Sequence, residues 1–155
     1  MNEPHDSVAL AAGATDLDFW LGTWRGTWTR NAERGEAINV VTKEFGGNVI
    51  VENFRAQAPD TLRGLSLSVF DGADGCWKQT WVDDTGSYLD FRGGPAGAEL
   101  HLSRELIQDG EEVLQRMIFR NIERERFDWL WQRSRGNGTW ETVWEIAYER
   151  LPDAQ

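Results

Sequence analysis

Two polar residues set among apolar ones are the first candidates for chemistry in this chain. Glu52 shares an alternating face with Ile50 and Phe54, and Gln79 sits between Trp77 and Trp81 on another. Such residues are seldom buried without partners, because an unsatisfied buried polar group costs about 1–3 kcal/mol. A buried Glu52 carboxyl would carry a raised pKa, which suits a general acid or base. Asp83, at the end of the run that holds Gln79, is a second candidate proton shuttle. In the next run Tyr88, Asp90 and Arg92 share a face, and Tyr88 and Arg92 are candidates to orient a polar head group. An alternative stays open, in which these groups satisfy one another or simply lie outside.

Other chemistries find little support. Cys76 is the single cysteine, so no intramolecular disulfide can form, and no histidine stands near it in sequence to activate a thiolate. The two histidines are His5, near the N-terminus, and His101, flanked by Leu100 and Leu102 and expected to face outward. No metal-ligand spacing can be assembled from these residues, and no metal site is expected. Nucleophile-elbow, phosphate-loop and dinucleotide patterns are also missing. The run Gly93-Gly94-Pro95-Ala96-Gly97 reads instead as a hairpin loop with no helix after it.

Short strands must position the candidates. Turn-forming clusters recur at 31–35, 46–48, 58–60, 71–75, 83–86, 93–97, 109–110 and 134–138. Between them the composition predicts ten strands, over 23–30, 36–46, 49–57, 62–71, 76–83, 87–92, 98–107, 113–122, 126–133 and 140–150. No connection has room for a crossover helix, so the expected fold is all-β, an antiparallel up-and-down barrel of about ten strands. Closure of such a meander removes both free edges and leaves an interior that side chains need not fill. Thr15 or Asp16 can cap a short helix over Leu17–Leu21 that plugs one end. Residues 1–14 are expected to be a flexible tail, and 15–151 one barrel domain.

Alternation assigns faces. Trp24 and Trp28 point one way across Gly26; Trp77, Gln79 and Trp81 share a face; so do Phe127, Trp129 and Trp131. Met117 and Phe119 oppose Arg116 and Arg120. In the last strand Trp140, Thr142, Trp144, Ile146 and Tyr148 oppose Glu141, Glu145 and Glu149. The 62–71 strand is ambiguous, since Leu65, Leu67 and Val69 compete with Ser66, Ser68 and Phe70. Trp24, Trp28, Phe54, Trp77, Trp81, Met117, Phe119, Trp131 and Trp144 are thus expected to form the apolar wall of a ligand site, with Gln79, Tyr88 and Arg92 as its polar contacts.

Composition bounds the partners. With 16 basic and 26 acidic residues the net charge is −10, which repels nucleic acid and anionic lipid alike. No run approaches the ~20 apolar residues of a spanning helix, and the N-terminus lacks a basic, then apolar, leader pattern. A cytoplasmic location, with no nucleic-acid and no membrane partner, is expected. Nine Trp, seven Phe and two Tyr must bury their area in a filled core or around a partly open pocket.

Phe19-Trp20-Leu21-Gly22-Thr23-Trp24-Arg25-Gly26 resembles the opening motif of small calycin-like barrels, where a short helix runs into a Gly-x-Trp strand. The run from Trp77 to Asp83, followed by Gly86, is similar to the signature of a bacterial domain-of-unknown-function family with that opening. Arg116-Met117-Ile118-Phe119 and the closing Thr139 to Arg150 fit it too. The resemblance covers residues 16–150 and implies a lipocalin- or nitrobindin-like barrel rather than an activity. Nitrobindin-like haem barrels use a histidine late in the chain, and none follows His101, so neither haem nor another cofactor is expected.

Three functions stay open on the sequence. The first is a binding module for a small hydrophobic or aromatic molecule. The second is a cofactor-independent cyclase, isomerase or dehydratase using Glu52 or Asp83. The third is a filled structural or interaction domain; a homodimer is compatible with each.

Overall fold

The computed structural model describes residues 13–57 and 61–153. Ten strands follow one another: β1 (Gly22–Arg30), β2 (Glu33–Glu44), β3 (Val49–Ala56), β4 (Arg63–Asp71), β5 (Cys76–Asp83), β6 (Tyr88–Ala96), β7 (Glu99–Gln108), β8 (Glu111–Arg120), β9 (Arg126–Ser134) and β10 (Glu141–Arg150). Each pairs antiparallel with the next, and β10 returns to β1 through Trp24 opposite Arg150 and Thr27 opposite Ala147, closing the barrel. This is the all-β architecture that the turn spacing predicts, and it is compatible with a calycin-like fold. Among the described residues no helix is long and apolar enough to cross a membrane. The expected tail falls, over residues 1–12, outside the described residues.

One end of the barrel is plugged. The helix is shorter than expected, a single 3₁₀ turn over Asp18–Trp20, because Asp16 does not cap it; its carboxylate instead accepts a bond of 3.3 Å from Trp77 Nε1. Leu17 and Trp20 are buried, and Trp20 meets Phe119 edge to face at 5.3 Å. Arg150 from β10 donates to the carbonyls of Leu21 at 2.7 Å and Phe19 at 3.2 Å, so the C=O groups left over at the end of the turn gain a charged donor. The same guanidinium lies 4.2 Å from the centre of the Trp24 ring.

Register fixes the faces, and three expectations need correction. In β6 it is Leu89, Phe91 and Gly93 that oppose the inward Trp81, Gln79 and Trp77, so Tyr88 and Arg92 point outward. Tyr88 is 74% exposed, and Arg92 pairs with Asp74 at 2.9 Å on the outer surface. Burying Leu89 and Phe91 gains apolar area, whereas burying Asp90 and Arg92 would strand two charges.

The second correction also concerns β6, which continues through Gly93, Gly94, Pro95 and Ala96 where a loop was expected. Its pairing to β7 there requires glycine, since a Cβ on Gly93 would lie 1.9 Å from the His101 carbonyl oxygen. In β10, third, Thr142 pairs with Gln132 but Trp144 with Trp131, so Val143 is the extra residue of a β-bulge. The bulge reverses the alternation. Thr142 accepts a bond from Gln132 at 3.0 Å on the outer face, and Trp140 lies outside under the Arg116 guanidinium at 3.8 Å.

The ambiguity in β4 resolves toward the serines. Ser66 and Ser68 are fully buried and inward, while Leu67 and Val69 are left 40% and 37% exposed. Their inward partners are polar, and this decides the face.

Candidate functional site

A cavity of about 220 Å³ runs through the barrel from Trp20 at the plug to Leu62, Asp83 and Leu89 at the opposite end. Its wall is aromatic. Phe54, Trp81, Phe91, Phe119, Trp129, Trp131 and Trp144 line it, helped by Met117 and Ile146. The rings hold one another edge to face: Phe54 meets Trp81 and Trp144 at 6.1 Å, Trp129 meets Trp144 at 5.7 Å, and Phe91 meets Trp131 at 5.7 Å.

One side of this wall is polar. Glu52 on β3 accepts from Asn39 Nδ2 on β2 at 2.8 Å and from Ser66 Oγ on β4 at 2.7 Å, one bond on each carboxylate oxygen. Gln79 on β5 donates to Ser68 Oγ at 2.9 Å. The Tyr148 hydroxyl on β10 lies beside Glu52 and Asn39. Four neighbouring strands and β10 thus bring Asn39, Glu52, Ser66, Ser68, Gln79 and Tyr148 into one inward group. Asn39 Oδ1, fully buried, has no hydrogen-bond partner.

The electrostatics follow from this enclosure. Burial pushes the Glu52 carboxyl above its ordinary range, and the bonds from Ser66 and Asn39 offset that only in part. Although deep in the protein, Glu52 keeps accessible area because it faces the cavity. Burial first, and then the negative charge of Glu52, holds the Tyr148 phenol well above its usual value.

Asp83 goes the other way. Burial raises it, but bonds from Thr85, Trp81 and Ser87 outweigh that and hold the carboxyl low. Its oxygens receive Trp81 Nε1 at 2.8 Å and the Thr85 hydroxyl at 2.6 Å, so it fastens the β5–β6 turn and the Trp81 ring at the cavity's outer end.

The raised Glu52 carboxyl makes stability depend on pH. The folded state holds this proton more tightly than the unfolded chain does, so stability falls as pH rises from the ordinary carboxyl range through the raised value. Glu52→Gln removes that loss. Asn39 can turn its free carbonyl toward the introduced amide, so the packing survives. The variant is expected to melt above the parent at pH 8 and to converge with it near pH 4; thermal melts with a constant difference at both would contradict the assignment.

Of the residues expected from sequence, Glu52, Phe54, Gln79, Trp81, Asp83, Met117, Phe119, Trp131 and Trp144 come together on the cavity. Trp24, Trp28 and Trp77 are inward and buried but belong to the packed ends rather than the lining. Tyr88 and Arg92 lie outside. Asn39, Ser66 and Ser68 were missed as site residues, as was Trp129. Asn39 alone left a usable signal, a polar residue between Ala37 and Val41 on an apolar face.

His101 sits on the outer wall with Nε2 at 2.9 Å from Glu99 Oε1. Among the described residues no three His, Cys, Asp or Glu cluster as metal ligands would. No protein-family model and no curated protein matches the chain.

Proposed function

We propose that this barrel is a binding module for a small aromatic or compact apolar molecule, held in the tryptophan-lined cavity with its polar end toward Glu52 and Gln79. The observation that carries the reading is the cavity itself, an unfilled space walled by rings on most sides and by an ordered polar group on one. A volume near 150 Å³ suffices for benzene in an apolar interior, so about 220 Å³ accommodates roughly nine non-hydrogen atoms by proportion. Drug-sized ligands occupy about 300–1,000 Å³, and long-chain lipids or haem exceed what this space holds. The calycin-like family likeness and a cytoplasmic setting belong to the same proposal.

Phenethyl alcohol fits these limits and carries one polar end. Calorimetric titration is expected to show saturable one-to-one binding, and saturating ligand should raise the melting temperature, since a ligand at a hundred times Kd adds about 2.7 kcal/mol. Met117→Trp, which fills the cavity from β8, should abolish both effects. Binding that survives this filling would place the ligand elsewhere.

Glu52 supports a second reading, a cofactor-independent enzyme moving a proton within a hydrophobic substrate. A raised carboxyl at the wall of an aromatic cavity has the properties of a general acid or base. In that case Glu52→Gln removes turnover while sparing the affinity for a neutral ligand.

A further inference from the structure

We infer that the molecule this cavity selects is an amine, bound as its ammonium against Glu52 with its apolar body among the tryptophan rings. The inference rests on the binding role proposed above and names the chemical class of its ligand.

Three observations point the same way. The charged side chains that line the cavity are Glu52 and Asp83, both carboxylates. The inward cations at the open end, Arg30, Arg104 and Arg133, are not among the lining residues: Arg104 donates to Gln115 at 2.7 Å, Arg133 donates to Glu141 at 3.1 Å, and Arg30 lies at the rim over Trp144. An anionic ligand would therefore enter a site with negative charge and no lining cation to meet it.

The second observation is the way Glu52 is held. Asn39 and Ser66 both approach it as donors, one to each oxygen, an arrangement that suits an ionised carboxylate. Two neutral donors do not offset the loss of solvent around a buried negative charge. An ammonium in the cavity would. It supplies the missing opposite charge and up to three further N–H donors, where an alcohol supplies one.

The third is the wall. Indole rings attract cations more strongly than other aromatic side chains, out to about 6 Å from the ring centre. Five of the nine tryptophans, Trp20, Trp81, Trp129, Trp131 and Trp144, line this one space. Trp144 already has the Arg30 guanidinium 5.9 Å from its ring centre at the barrel's rim. A carboxylate with several indoles around a small volume suits an organic ammonium better than a neutral hydrocarbon.

Ligand charge is the variable to test. Phenethylamine, phenethyl alcohol and phenylacetate share one ring and differ in the charge of the polar end, and each can be titrated calorimetrically into the intact protein at pH 7. The amine is expected to bind at least tenfold more tightly than the alcohol, with phenylacetate weakest. In Glu52→Gln the advantage of the amine over the alcohol is expected to disappear, the two then binding within about twofold of each other.

An alcohol that binds as tightly as the amine overturns the inference and leaves the binding module standing. So does an amine-to-alcohol ratio unchanged by Glu52→Gln. If none of the three binds the parent protein, the proposed binding function falls together with it. Parent values alone decide the charge preference, so the test survives a variant that folds poorly.

Discussion

Trp24→Ala is expected to destabilise the protein by about 3–5 kcal/mol, the range for emptying a large aromatic site in a packed core. Trp24 is fully buried where the plug meets the barrel. Its ring packs on Phe127 at 4.8 Å and lies under the Arg150 guanidinium, and its Nε1 donates to the Trp20 carbonyl at 2.8 Å. Truncation would leave that carbonyl unpaired and remove the surface on which Arg150 rests while it holds the carbonyls of Phe19 and Leu21. Cavity, lost hydrogen bond and loosened plug add in the same direction. For a domain of this size the loss corresponds to a melting temperature lower by on the order of 10 °C. Tyr88→Ala serves as the reference, since an exposed substitution usually stays within about 0.5 kcal/mol. Equal melting temperatures for the two variants would mean that the plug carries no part of the stability.

The contrast between Trp24 and Tyr88 shows what the sequence could convey. Where tryptophans and phenylalanines alternate with polar residues, as in β1, β5 and β9, the gain from burying rings dominates every competing term and the face can be read directly. β4 was ambiguous because its two faces differ less: serines against leucines and valine. The outcome there depended on Glu52 and Gln79 across the sheet, whose position opposite Ser66 and Ser68 is set by register. Register follows from turn geometry and pairing, and neither is visible in one strand.

The bulge at Val143 was hidden for a related reason. Trp140, Thr142 and Trp144 keep a perfect alternation in the sequence, yet one extra residue turns the first two outward, where Gln132 and Arg116 receive them. The polar group of the site was legible only in part. Glu52 and Gln79 stood out as polar residues on apolar faces, and Asn39 carried a similar mark between Ala37 and Val41, but Ser66 and Ser68 come from a strand whose pattern does not single them out. The cavity itself could be expected from the strand number but not sized, since its volume is the residue of how the rings pack.

Those rings leave little slack, and Gly64→Ala is expected to show it by abolishing ligand binding. The Trp81 ring lies across Gly64 from the adjacent strand, and a Cβ at position 64 would come within 2.1 Å of Cη2 and Cζ2 of that ring. The indole must move. Its Nε1 is tied to Asp83 Oδ2 and one edge is packed near Phe54, while the unfilled space beside it is the cavity. Swinging the six-membered ring inward consumes that space and turns the ligand's wall into its obstruction. Overpacking of this kind costs about 1–3 kcal/mol, which a closed barrel tolerates without unfolding. Phenethyl alcohol and phenethylamine should therefore lose at least tenfold in affinity although the variant still melts cooperatively. Gly94→Ala is the matched control, since a Cβ there meets nothing within 4 Å, and it should bind like the parent. Parent-like affinity in Gly64→Ala would remove Trp81 from the site and with it the aromatic wall on which the assignment of the cavity depends.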